Sequence, residues 1–93
     1  MRGYWLLDEV GTKVGRIDEV YDHWLLVRLG RVTDRHVLVP RGDAVAAGAH
    51  AWVPYRLETI RAAAVAAGEG PPSGELESQL RRQYGLRDAV GSL

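Results

Sequence analysis

The chain has 93 residues, of which 46% are hydrophobic and 26% charged, a composition typical of one folded domain and unlike that of a disordered chain. Twelve basic and twelve acidic side chains give a formal net charge of zero, so no overall field attracts an anionic polymer, although a local patch is compatible with that balance. The sequence has no cysteine, which excludes disulfides, thiolate metal sites and cysteine nucleophiles.

The amino-terminal run M-R-G-Y-W-L-L-D-E reaches acidic residues after only a few apolar ones. That run is too short for a signal peptide, and no apolar stretch approaches the roughly 18–20 residues needed to cross a bilayer. We therefore expect a cytoplasmic protein without membrane insertion.

Short runs rich in Val, Leu, Tyr and Trp, separated by Gly, Asp and Pro, fill the first half of the chain and are typical of a small β-barrel or sandwich. They predict five strands, at residues 4–7, 13–21, 24–29, 35–39 and 49–53. Pro40 and Pro54 each follow a strand and lack an amide hydrogen, so they mark strand ends.

The second run does not alternate regularly, because Val14, Ile17 and Val20 are three residues apart. A bulge near Gly15 would restore one apolar face. The next two runs are almost continuously apolar, which predicts strands covered on both faces, or partly covered by another element or subunit.

The segment G-D-A-V-A-A-G, residues 42–48, predicts a single helical turn, with Asp43 as its cap and Gly48 as its end. After Pro54 the apolar period becomes helical, since Leu57, Ile60 and Ala64 share a face and Gly68 ends the run.

A glycine- and proline-rich linker, residues 68–74, separates a domain at residues 1–67 from a helical tail at residues 75–93. Ser73 can cap the tail helix and Gly85 can end it. Its apolar stripe, Leu76, Leu80 and Tyr84, is one residue wide, so the helix must dock on its own domain or on a second copy.

The pattern D-x-x-G-x-x-V-G-x-I-x-x-V at residues 8–20, followed by V-L-V-P and then by W-V-P-Y with L-E-T-I-R, resembles the PRC-barrel family over residues 6–63. The resemblance implies a mainly β fold, a small PRC-type barrel of five to six strands with a short helix after the last strand, here followed by the C-terminal helix. Members of the family often have Ala-Pro at the end of the short helix. Here Ala62 to Ala64 stand instead, so we expect the helix to continue to Ala67.

Three residues of the resembling segment have roles that depend on local chemistry alone. Gly11 suits a turn with positive φ, Asp8 can accept hydrogen bonds from the amides of that turn, and Gly15 suits a bulge in a tightly bent strand. Together with Pro40 and Pro54 they are predicted to determine the fold.

Nothing in the sequence indicates catalysis, a cofactor or a metal. The spacing of His23, His36 and His50 matches no zinc motif, although a site built from two of these histidines and an acid stays conceivable. Asp18, Glu19 and Asp22 form the densest acidic group, which is more often the solvated face of a hairpin than an acid–base pair. We expect no enzyme.

The resemblance implies a binding module, because the family includes the cytoplasmic domain of the photosynthetic reaction-centre H subunit and the ribosome-maturation factor RimM. We expect a protein-interaction or scaffold module that self-associates as a homodimer. The candidate interface residues are Trp5, Trp24, Trp52, Leu76, Leu80 and Tyr84. The three tryptophans could equally all fill the core.

The alternative hypothesis is a ribosome- or RNA-associated factor similar to RimM. Its candidate basic face consists of Arg28, Arg31, Arg35 and Arg41. The zero net charge and the intervening acidic residues disfavour a strong RNA site on that face.

Overall fold

The computed structural model describes residues 1–29, 35–63, 72 and 74–86. The chain is mainly β, as predicted, with one six-stranded sheet and two short helices. The elements are β1 (Trp5–Leu7), β2 (Lys13–Val20), β3 (Trp24–Leu29), β4 (His36–Pro40), β5 (Val45–Ala47), β6 (His50–Trp52), α1 (Leu57–Arg61) and α2 (Gly74–Gln83).

The strand order in the sheet is β4-β3-β2-β1-β6-β5. Neighbouring strands are antiparallel except for β1 and β6, which are parallel. Within the described ranges the hydrogen-bonded ladder runs from β4 to β5 without closing, so the expected barrel is here a mixed sheet with two edges.

Two bulges bend β2, one of them at the predicted place. Leu6 pairs with Gly15 but Leu7 pairs with Lys13, which leaves Val14 as the extra residue. A second shift, between Ile17 and Glu19 against β3, leaves Asp18 as the extra residue. Each bulge changes which face the following side chains occupy, so the three-residue spacing of apolar positions in β2 is compatible with a strand.

The prediction of a helical turn at residues 42–48 was wrong. Val45–Ala47 forms β5, which pairs with β6 through Val45 opposite Trp52 and Ala47 opposite His50. Gly48, with φ +61°, begins the tight turn between the two strands instead of ending a helix. Alanine has little intrinsic preference for strands, so the pairing partner decides the conformation here.

The first helix is shorter than expected. It ends at Arg61, with Ala62 as the C-cap, and Ala63 donates a backbone hydrogen bond to Ile60 that tightens the last turn. Helix α1 therefore does not continue through Ala62 and Ala63. Residues 64–67 lie outside the described residues.

The predicted tail helix exists and docks on the sheet of its own chain. Acidic Glu75 and Glu77 lie in its first turn and basic Arg81 and Arg82 in its last, which complements the helix dipole. Gly85, with φ +71°, follows its end as predicted. Ser73, the predicted cap, and residues 87–93 lie outside the described residues.

One continuous core joins the sheet, α1 and α2. Its fully buried side chains come from every strand except β5, together with Ile60 of α1 and Leu80 of α2; they include Leu6, Ile17, Leu25, Val27, Val37, Val39 and Ala51. No helix within the described residues is long and apolar enough to span a membrane.

Candidate functional site

The two edges of the sheet differ in how far the rest of the described chain covers them. At the β4 edge, Val37, Leu38, Val39 and Pro40 are buried. The Tyr84 hydroxyl of the docked α2 segment donates to the Leu38 carbonyl at 2.7 Å, and the guanidinium of Arg35 donates to the Arg61 carbonyl of α1 at 2.8 Å. This edge is covered by both helical segments.

Within the described residues, only β6 pairs with β5, and the other edge of β5 is open. All three residues of β5 are exposed, and Val45 keeps 64% of its surface. Trp52, which is opposite Val45 on β6, is 37% exposed, so the two side chains form an apolar strip on one face of this edge. Strand β5 has no charge, proline or bulge, the devices that usually prevent an edge from pairing with another chain.

The six candidate interface residues separate into two groups. Trp24, Leu80 and Tyr84 are core residues, with exposures of 2%, 1% and 7%, so within this chain they are not available as the candidate interface. Leu76 is partly buried against the same core, so the tail helix docks on its own domain. Trp5 and Trp52 are the tryptophans that reach the surface. The tryptophans therefore neither all fill the core nor all form an interface.

The buried tyrosine of the tail helix belongs to an aromatic cluster. The ring of Tyr84 lies 5.0 Å from that of Tyr55 and 6.5 Å from that of Trp24, between ring centroids. Burial, and then Tyr55, raise the pKa of Tyr84 well above its ordinary value near 10. Burial, and then Asp43, also raise the pKa of Tyr55.

The predicted turn residues take their expected local roles. Gly11 has φ +88°, and one Asp8 carboxylate oxygen accepts the amide hydrogens of Val10 at 3.0 Å and Thr12 at 2.7 Å. Gly15 has an additional role, because a Cβ atom there would collide with the backbone carbonyl of Arg28 on β3. These residues build the fold, and Asp8 is 4% exposed.

The candidate basic face does not form one patch. Arg35 and Arg41 stand at opposite ends of β4, whose five residues span roughly 16 Å. Arg41 donates to the Tyr21 carbonyl at 2.8 Å, and Arg28 lies 3.6 Å from the carboxylate of Asp18. Arg31 lies outside the described residues.

The conceivable histidine metal site is not assembled. His36 is on β4 and His50 on β6, four strand spacings or roughly 19 Å from each other along the sheet. His36 instead bonds the carboxylate of Asp18 at 2.8 Å. In the described part of the chain no group of three or more metal-ligating side chains comes together.

The acidic residues of the β2–β3 hairpin, Asp18 and Glu19, contact different basic residues and do not form one acid–base site. Asp18 contacts His36 and Arg28, and Glu19 pairs with Arg2 at 3.2 Å. The contacts of Asp18 with Arg28 and of Glu19 with Arg2 are structural ion pairs at partly exposed positions, which contribute at most about 1 kcal/mol each.

The sequence analysis missed a basic and aromatic groove on the sheet. It has a volume of about 570 Å³. The lining residues are Trp5, Lys13, Val14, Gly15, Arg16, Arg28 and Arg61. The bulge at Val14 creates it, because without an extra residue Lys13 and Arg16, three positions apart, would lie on opposite faces of β2.

Within this groove both cations of β2 lie over one indole ring. The Lys13 ammonium is 4.6 Å and the Arg16 guanidinium 4.5 Å from the ring centroid of Trp5. Such contacts contribute about 0.5–1 kcal/mol at exposed sites and hold the cations in place.

Searches of family models, curated proteins and solved structures find no match to this chain. Its function is therefore inferred from the geometry described above and from the resemblance over residues 6–63.

Proposed function

We propose that the chain is a non-catalytic, cytoplasmic interaction module of the PRC-barrel type, and that it self-associates by pairing strand β5 with β5 of a second copy. The observation that carries this proposal is the open β5 edge in a molecule whose other edge is covered. An uncovered strand presents unpaired backbone groups, which a second strand can satisfy.

A second copy fits this edge because β5 is self-complementary. In an antiparallel pair related by a two-fold axis, Ala46 would face its own counterpart, and Val45 would face Ala47 of the second copy. In this arrangement no charged side chains of β5 face each other across the axis. The two sheets would join into one sheet of twelve strands.

The exposed side chains next to the edge supply the apolar area that such a pair needs. Three residues form few backbone hydrogen bonds, so burial of Val45 and Trp52 must provide much of the stabilisation. The nearby carboxylates do not oppose association strongly, since Glu9 pairs with Arg56 at 3.4 Å and Asp8 is held in its turn.

Static light scattering over a range of concentrations tests the proposal. We expect the average mass of the wild-type chain to rise from that of the 10.3 kDa monomer towards twice that value. Substitution Ala46→Lys should raise the dimer dissociation constant about tenfold or more, because two lysines would face each other across the axis.

The matched control is Ala62→Lys, which makes the same exchange at an exposed alanine after α1, close to the covered edge. This variant should associate like the wild type. A wild-type chain that stays monomeric up to roughly 1 mM, where association is worth only about 4 kcal/mol, would contradict the proposal.

A further inference from the structure

The face of the sheet that carries the groove bears one row of aromatic and cationic side chains. Cross-strand partners connect them in sequence: Ala47 with His50, His50 with Trp5, Trp5 with Arg16, Arg16 with Arg28, and Arg28 with His36. Directly opposed residues of neighbouring strands share a face. The row therefore crosses all six strands.

A second, shorter row lies beside the first. Val45 is the cross-strand partner of Trp52, Trp52 is that of Leu7 in the parallel β1–β6 pair, and Leu7 is that of Lys13. The rings of His50 and Trp52 are 6.0 Å apart. The face therefore carries aromatic side chains at β1 and β6, next to the cations Lys13 and Arg16 of β2 and Arg28 of β3.

The groove holds more positive charge than the protein itself neutralises. Among the described residues, no carboxylate forms an ion pair with Lys13, Arg16 or Arg61, and no acidic side chain lines the groove. Only Arg28 has an acidic neighbour, Asp18 at 3.6 Å. Uncompensated cations in one concave site attract an anionic ligand.

We propose that this face binds single-stranded nucleic acid, with phosphates on Lys13, Arg16 and Arg61 and bases stacked on Trp5, His50 and Trp52. A base takes the place of a cation over the Trp5 ring as that cation moves to a phosphate. The combination of a cationic track with partly exposed rings fits such a strand, because every base has a π-face and every linkage carries a negative charge. A duplex keeps its bases in its own stack and could not use the rings.

An acidic peptide is disfavoured as the occupant. It would satisfy the cations but would leave the partly exposed ring of His50 and the exposed ring of Trp52 without a partner of matching chemistry. The row also extends roughly 19 Å from His36 to His50, which suits an extended strand better than one free nucleotide.

Fluorescence anisotropy with the full chain and a labelled ten-residue uridine RNA tests this proposal. We expect binding that weakens as salt rises, with duplex RNA, free uridine monophosphate and a polyglutamate peptide all binding at least tenfold more weakly. Comparable binding of any of these three, or no binding of the RNA strand, would overturn the proposal.

Variants locate the site. Trp5→Leu should weaken RNA binding about tenfold, through loss of stacking. Arg16→Ala, at an exposed position that folding does not require, should weaken it several-fold and reduce the salt dependence by about one counterion. Arg82→Ala removes an exposed arginine of α2 and should bind within twofold of the wild type.

Equal affinities of the Arg16→Ala and Arg82→Ala variants would overturn the assignment to this groove. The inference does not depend on self-association, since the edge variant Ala46→Lys leaves the groove intact and should bind the RNA strand. Failure of one proposal can therefore be distinguished from failure of the other.

Discussion

Glycine is required at positions 11 and 15 of this chain, for two different physical reasons. Gly11 needs its positive φ, whereas Gly15 needs space, because β2 passes so close to β3 that a Cβ atom would meet the Arg28 backbone. Glycine is not required at position 42, since its φ is not positive and a Cβ atom there would meet nothing within 4 Å.

Substitution Gly15→Ala should lower the free energy of unfolding by about 1–3 kcal/mol, since the neighbouring strand must move to accommodate the methyl group. Urea denaturation measures the change. The control Gly42→Ala should be neutral or slightly stabilising, by up to about 1 kcal/mol, because it restricts the unfolded chain. Equal stability of the two variants would contradict the close approach of β2 and β3.

How much could be predicted from the sequence also differs between residues. The turn of Asp8 and Gly11 was predictable, because its hydrogen bonds and its φ depend on residues within four positions of each other. The position of Lys13 relative to Arg16 could not be predicted, because the exact bulge residue, Val14, is set by the pairing of β2 with β1.

At the scale of elements, the helices determine which parts of the sheet remain available. Helix α1 and the docked α2 segment cover the β4 edge, where Tyr84 donates to the Leu38 carbonyl. A tail helix with a narrow apolar stripe was predicted to need a docking surface, and Leu80 and Tyr84 now lie in the core of the same chain.

The docking of α2 should weaken in alkaline solution. The unfolded chain loses the Tyr84 proton near pH 10, whereas burial raises the pKa of Tyr84 in the folded chain. Above pH 10 unfolding therefore releases a proton, and the free energy of unfolding falls as pH rises.

Substitution Tyr84→Phe should make that fall shallower between about pH 10 and 12, since it removes the buried ionisable group. Below pH 9 the variant should be less stable by about 1 kcal/mol, because the Leu38 carbonyl loses its donor. Urea unfolding at a series of pH values measures both effects. An unchanged slope would show that Tyr84 does not ionise on unfolding.

Strand β5 shows why one element could not be predicted. Its sequence, Val-Ala-Ala after Asp43 and Ala44 and before Gly48, suits a helical turn locally. Its conformation depends on pairing with His50–Trp52, and its tight turn on the positive φ of Gly48. Pairing of this kind depends on neighbours in space, which composition does not encode.

At the scale of the whole molecule, two surfaces with different chemistry lie on one sheet. The β5 edge is apolar and uncharged, and the face around Trp5 is cationic. If two copies pair through β5, their sheets are continuous, and both grooves lie on the same side. The two Trp5 residues would then be about five strand spacings, or roughly 24 Å, apart along the joined sheet.

The most direct test of the central claim is hydrogen exchange of the β5 amides, followed residue by residue by NMR at low and high protein concentration. Self-association through this edge predicts that exchange slows, as concentration rises, at those amides of β5 that point away from β6, while exchange in β4 does not change. A chain that dimerises while those amides exchange at a constant rate would contradict the assignment of this edge.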